Sequence, residues 1–304
     1  MMEKRVKAAL VSVISNTFLV TAKLVVGFLI GSVSVISEGI HSANDLLASF
    51  IALFAVKSAS KPPDEKHNFG HGKIENISGT IEGLLIFIAA CLIIKEAIEK
   101  ILHGGEPLAL GWGIGVMGLS ALVNLLVSSY LMRVAKATHS IALEADAIHL
   151  RTDVYTSAGV FAGLLLIHFT GWTMLDPIAA ILVAMLIIRA AFELTSKAFV
   201  PLIDTALSED EVSEIKAIIE NYSDKFVEYH DLRTRRSGRE KHIDFHLVAH
   251  SDSSIQEVHD LCDSIEDHIM REIPHSHVLI HCEPVCCCEG EEACQAADLT
   301  RSHA

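Results

Sequence analysis

Six apolar stretches dominate this chain, running approximately from Val6 to Ile30, Val33 to Val56, Ile77 to Leu102, Leu108 to Met132, Ile148 to Phe169 and Leu175 to Phe199. Each reaches the length needed to cross a hydrocarbon layer about 30 Å thick as a helix. In lipid the backbone must satisfy its own hydrogen bonds, so helices are the solution open to such segments. A mean hydropathy of +0.41 agrees with that reading. The expected fold is an α-helical membrane protein with six transmembrane helices over residues 1–203. Met1 to Lys7 is charged and leads straight into the first stretch without a small-residue cleavage site, which reads as a retained first helix.

After Pro201 the character changes. Residues 204–284 read as a small α+β domain and 285–304 as a flexible, Cys-rich acidic tail. Ser208-Glu-Asp-Glu211 has the cap-and-acid signature of a helix start, with Ile215, Ile218 and Ile219 as its apolar face. Two strands are expected, Phe226 to Arg235 and Lys241 to His250, joined through Ser237-Gly238 as a hairpin. In the second, Ile243, Phe245 and Leu247 share one face while His242, Asp244 and His246 share the other. A helix from Ser254 to Glu272 and a strand from His277 to Glu283 complete an α-β-β-α-β order.

Charge is divided along the chain. Beyond residue 203 there are 9 Lys and Arg against 23 Asp and Glu, which carries the whole net charge of −14. An acidic soluble part argues against nucleic acid as a partner. Lys4, Arg5 and Lys7 precede the first span, Lys57, Lys61, Lys66 and Lys73 lie between the second and third, and Arg133 and Lys136 follow the fourth. The opposite loops carry almost none, Lys100 excepted. The positive-inside rule then places both termini in the cytoplasm of a cell (inner) membrane protein. In that compartment seven cysteines are expected as thiols or metal ligands, not disulfides.

One short pattern occurs twice inside the apolar stretches. Glu38-x-Ile40-His41-x-x-Asn44-Asp45 lies in the second, and Asp146-x-Ile148-His149-x-x-Thr152-Asp153 opens the fifth. Residues four apart lie one helical turn apart on nearly one stripe, so each His-x-x-x-Asp pair offers an imidazole nitrogen and a carboxylate oxygen to one point. With the amino terminus inside, the two spans run antiparallel, as in the inverted repeats that put transporter sites near the bilayer midplane. His41, Asp45, His149 and Asp153 then form a four-ligand cage suited to tetrahedral zinc rather than the all-oxygen shells of calcium or magnesium. An ionisable residue at membrane depth costs about 2.5 to 3.5 kcal/mol on insertion scales, so such a cage implies a use, and passage of a metal ion is the simplest. Glu38 and Asp146, one turn from each His, are read either as acceptors that orient the rings or relay protons, or as wet helix ends, and not as ligands. Lys23 is expected to snorkel or to be paired internally.

These motifs closely resemble the cation diffusion facilitator family of proton-coupled metal exporters. The resemblance covers nearly the whole chain and rests on Gly31-Ser-Val-Ser34, the second-span pair, His67-Asn-Phe-Gly-His71-Gly-Lys73-Ile-Glu75, Ala145-Asp146 with the fifth-span pair, and His230-Asp-Leu-Arg-Thr-Arg235. It implies that His41, Asp45, His149 and Asp153 are the transport site. Well-known bacterial zinc members carry three Asp and one His there; His at position 41 makes this cage softer and favours zinc, with cadmium and cobalt next, over manganese or ferrous iron. It further implies a lesser zinc site in the loop at Asp64, His67 and His71. The soluble domain resembles the family's metallochaperone-like domain, which dimerises, and His230, His246, His259, His281 and Glu283 match its zinc-binding positions. Lys73 and Asp204 resemble charged residues that link the membrane half to that domain between subunits.

The function expected is export of a divalent metal, Zn2+ first, in exchange for protons, by a homodimer in the lipid bilayer. Zn2+ is expected both as substrate and as a structural or regulatory ion. A membrane-anchored metal sensor would need only the soluble sites, and an intramembrane metalloenzyme should also show a catalytic base such as His-Glu-x-x-His, which is absent. Exporters selective for ferrous iron or manganese remain the nearest alternative. No phosphate loop is present, so ATP-driven pumping has no support. Cys282, Cys286, Cys287, Cys288 and Cys294, with His303, read as a metal-capturing or redox-sensitive tail, while Cys91 and Cys262 read as packing residues.

Overall fold

The computed structural model describes residues 2–30, 33–103, 112–170 and 174–285. The tail cysteines Cys286, Cys287, Cys288 and Cys294 and His303 lie outside these. So do residues 31 and 32 and the side chains of Glu38 and His41. The chain divides into two units, Met1–Asp204 with Ser237–Arg239, and Thr205–Arg236 with Glu240–Ala304.

The first unit is six helices: α1 Met2–Ile30, α2 Val33–Ala59, α3 Lys73–His103, α4 Trp112–Thr138, α5 Ile141–Thr170 and α6 Leu175–Phe199. Among the described residues, four segments are long and apolar enough to cross a membrane: Glu3–Leu29, Lys73–Glu99, Gly118–Thr138 and Pro177–Ile203. The helices α2 and α5, of 27 and 30 residues, carry the charged pattern. Large apolar side chains point outward, Phe28, Leu126 and Phe192 among them. That inside-out distribution suits a lipid surround and would be costly in water.

Several helices outrun the apolar stretches. The α5 helix begins at Ile141, seven residues before Ile148, and α4 continues past Met132 to Thr138. The reason lies at the tight α4–α5 turn. His139 adopts a left-handed φ of 51°, the Ser140 N–H donates to the Ala135 carbonyl at 3.1 Å, and Ala142, Leu143, Ala145 and Ala147 are fully buried. Hydropathy marks where lipid begins, whereas this helix is held by protein packing beyond it.

Small residues let the helices approach. One cluster joins Ala8 and Ala9 of α1, Ala55 and Val56 of α2, Leu131 and Ala135 of α4, and Leu143, Ala147 and Leu150 of α5. A second joins Ile86 and Ala90 of α3, Ala145 of α5, and Ile187, Ala191 and Leu194 of α6. Among the described residues only α5 gives buried side chains to both, while α3 touches the first through the partly buried Ile74. A Cβ on Gly79 of α3 would lie 2.6 Å from Ile141 of α5 and 3.2 Å from Ala198 of α6, so this three-helix junction needs its glycine.

The second unit holds α7 Glu209–Glu220, β1 Glu228–Ser237, β2 Glu240–Ala249, α8 Ile255–Glu272 and β3 Ser276–Pro284. The sheet order is β1-β2-β3, with β3 parallel to β2 and reached through α8. Both helices start on capping boxes, Ser208 with Glu211 and Ser254 with Glu257. At each box the serine hydroxyl and the glutamate carboxylate satisfy two backbone donors that the first turn leaves open. The core packs Ile215, Ile218 and Ile219 of α7 and Leu261, Ile265 and Ile269 of α8 on Ile243, Phe245 and Leu247 of β2. The alternation expected for β2 therefore holds, and His242, Asp244 and His246 lie on the opposite face. Strand β1 starts two residues later than expected, because Phe226 is drawn into the core ahead of the strand.

Candidate metal centres

Asp45 projects from the middle of α2, and His149 and Asp153 project from successive turns of α5. Each offers a ligand atom, and the three atoms lie within 4.8 Å of one another. His149 Nε2 lies 3.2 Å from Asp45 Oδ1. Tetrahedral zinc with bonds of about 2.0 to 2.1 Å sets its donors about 3.4 Å apart, so this spacing is that of a coordination edge. His41 lies one turn before Asp45 on the same helix, its side chain outside those described.

The surroundings of this cluster are polar and largely buried. Asp146 is fully buried, and its Oδ1 accepts from the Ser49 hydroxyl at 3.2 Å. Ser49 in turn meets Ser12 at 3.0 Å and accepts from the Asn16 amide at 2.6 Å. This network ties α1, α2 and α5 together one turn before the His149 pair, so Asp146 does not sit in water at a helix end. Lys23 is paired internally, donating to the Ser42 hydroxyl at 2.7 Å.

Glu82 was not anticipated as part of this region. It is fully buried on α3, and its Oε1 accepts from Ser78 at 3.2 Å. Its Oε2 has no hydrogen-bond partner, and Asp146 and His149 are among the charges that act on it. The signal was available: a carboxylate early in the apolar run from Ile77, well ahead of Glu96 and Glu99 near its end, is as costly as those of the repeated pattern.

The loop between α2 and α3 gathers Asp64, His67 and His71 within the same 4.8 Å limit. The turn is built on Asp64, whose Oδ1 accepts the N–H groups of His67 at 2.7 Å and Lys66 at 2.9 Å. The His67 N–H is the largest influence that holds this exposed carboxyl below its usual range. Gly70, at a φ of +78°, reverses the chain and brings His71 Nε2 to 3.3 Å from Asp64 Oδ2. Lys73, two residues on, pairs with Asp204 of the same chain at 2.8 Å.

In the second unit, His230 of β1, His246 of β2 and Glu283 of β3 form the third cluster. Glu283 lies 3.2 Å from His246 Nδ1 and 3.7 Å from His230 Nε2. The donor set, two imidazoles and a carboxylate on three neighbouring strands, fits zinc, and the His230 Nδ1 makes no hydrogen bond, with the Glu228 carboxylate 3.9 Å away. His281 borders the cluster, with Nε2 3.7 Å from Glu283 and its ring 4.9 Å from that of His246. His259 does not join it. It faces Asp263 at 3.5 Å on α8, and α8 packs on the core face of the sheet, opposite His246.

Comparison with known proteins accounts for both units. Residues 9–203 match the cation efflux transmembrane domain, and residues 207–285 match the cation efflux protein cytoplasmic domain. The chain belongs to the cation efflux family. It is 35% identical over 255 residues to an uncharacterized transporter of Synechocystis sp., covering 84% of this chain and 82% of that one. It is 31% identical over 278 residues to the cation-efflux pump FieF of Shewanella oneidensis, covering 91% and 93% of the two chains. A solved structure of CzrB, in its Zn form, is 34% identical over 29% of this chain and 99% of its own, with a TM-score of 0.27. Members of this family are multi-pass membrane transporters, not enzymes, and this chain is a cation efflux transporter.

Proposed function

We propose that the chain exports Zn2+, and with it Cd2+ and Co2+, in exchange for protons. The transport site is His41, Asp45, His149 and Asp153. The observation that carries the reading is the convergence of Asp45, His149 and Asp153 from two different helices, with His149 Nε2 and Asp45 Oδ1 spaced as two donors to a small tetrahedral ion. Two imidazoles beside two carboxylates are softer than an all-oxygen shell and favour zinc over manganese.

Metal binding needs neutral imidazole and ionised carboxylate, so protons and metal compete for the same atoms. In an inward-facing state cytosolic zinc displaces protons. After the membrane half reorients, external protons displace zinc. The basic loops support an orientation with both termini in the cytoplasm, so the ion leaves the cell. The loop cluster Asp64, His67 and His71 and the cluster His230, His246 and Glu283, with His281 beside it, hold further zinc ions on the cytoplasmic side, and the chain acts as a homodimer. His259, on the far face of the sheet, is not part of that set within one chain.

The test is flux. Purified protein in liposomes with an imposed pH gradient should move zinc, and His149→Ala or Asp153→Ala should abolish that movement while the protein still elutes as a folded species. Undiminished flux in either variant refutes the site. A membrane-anchored sensor would bind zinc without flux, and a panel of metals fixes the order of preference.

A further inference from the structure

Cys262 and Cys282 face each other within the second unit. Cys262 sits on α8 beside the core stripe Leu261, Ile265 and Ile269, and is buried. Cys282 is on β3, opposite Leu247 in the parallel register, so it turns toward the core side of the sheet while His281 and Glu283 turn to the other. Their sulfurs are 3.2 Å apart. Because β3 is an edge strand and Cys282 lies near its end, this residue remains exposed. One buried and one exposed thiol in contact, on adjacent elements, is the arrangement of a resolving and an attacking cysteine.

We propose that Cys262 and Cys282 form a peroxide-reactive dithiol that closes to a disulfide, fastening α8 to β3. The step balances with a hydroperoxide as oxidant. The Cys282 sulfur attacks the peroxide, an S–O bond forms, the O–O bond breaks and one water (or alcohol) leaves. The Cys262 sulfur then attacks the sulfenic sulfur of Cys282, the S–S bond forms and a second water leaves. Two thiols are oxidised by two electrons and the peroxide is reduced by two. A disulfide needs sulfurs about 2 Å apart, so closure asks for a movement of about 1 Å, within reach of side-chain rotation. Burial first, and then the neighbouring sulfur, push the Cys262 thiol up to about 12. Cys262 is therefore not the sulfur that meets the peroxide first. Strand β3 also carries His281 and Glu283, so the link forms directly behind the third cluster.

The sequence makes the test clean, because trypsin cleaves after Arg271, between the two cysteines. The full chain, with the four tail cysteines Cys286, Cys287, Cys288 and Cys294 changed to serine, is treated in detergent with hydrogen peroxide, alkylated, digested and weighed. The expected product joins residues 242–271 to the following peptide, lighter by two hydrogens than their sum, and dithiothreitol separates it. In Cys262→Ser the sulfenic acid of Cys282 should persist and be captured by dimedone. Full alkylation of both cysteines after peroxide overturns the proposal. So does a product joining Cys282 of one chain to Cys282 of another.

Discussion

Replacing Glu211 by Gln probes how electrostatics hold the cytoplasmic unit together. The carboxylate lies 2.8 Å from Arg236 Nη2 and 2.9 Å from Lys241 Nζ, and it closes the α7 capping box with Ser208. Burial works against its ionisation. The Lys241 bond, the Arg236 charge and the Ser208 donors outweigh it and hold the group down at about 2, from an ordinary 4.5. That interval corresponds to a ceiling of about 3.4 kcal/mol. The side chains of Glu211 and Arg236 remain 22% and 29% exposed, so water screens the pair and about 1 to 2 kcal/mol is expected. Glutamine can still complete the capping box, so the loss isolates the charge. Amide exchange of α7 in the full-length protein at pH 7, read by mass spectrometry, should speed up about 5- to 30-fold in Glu211→Gln. The folded group titrates below the unfolded one. Its stabilisation is therefore complete above pH 4.5 and disappears as pH falls from 4.5 through about 2, and the Gln variant should lack that acid-sensitive component. Unchanged α7 protection at pH 7 refutes the reasoning.

Four further outcomes follow from the same contacts. Arg5→Met should destabilise the membrane unit by about 3 to 5 kcal/mol in thermal unfolding, because it strands the buried Glu75 carboxylate that Arg5 meets at 2.6 Å; adding Glu75→Gln should recover much of the loss. Glu82→Gln keeps the shape of a fully buried group but removes a titratable acid beside His149, and calorimetry should show zinc affinity at the transport site falling on the order of 10-fold. Gly83→Leu should lower the yield of folded protein, since the side chain meets Thr195 of α6 at the backbone level. His246→Ala should remove one zinc per chain from the metal content measured after gel filtration.

The fold was legible where physics repeats itself along the chain. Apolar runs of bilayer length and the cap at Ser208 each reflect a local rule, and each produced a helix. Helix ends in the membrane unit were misjudged because α4 and α5 are extended by alanine packing around Ser140, which hydropathy does not register. The spacing of His149 and Asp153 revealed one half of a cluster, and the matching pattern in α2 supplied Asp45. Glu82 escaped notice because it belongs to no repeat, although its cost in an apolar helix was readable. Cys282 was grouped with the tail by proximity in sequence; only the strand register, which sets it opposite Leu247, directs it toward Cys262. The position of His259 was likewise decided by which face of the sheet α8 covers.

Anomalous scattering at the zinc edge from crystals of the zinc-loaded full chain tests the central claim most directly. A zinc ion should lie between Asp45, His149 and Asp153, at bonds of about 2.0 to 2.2 Å. Zinc at the loop and strand clusters, with none between α2 and α5, would contradict the account.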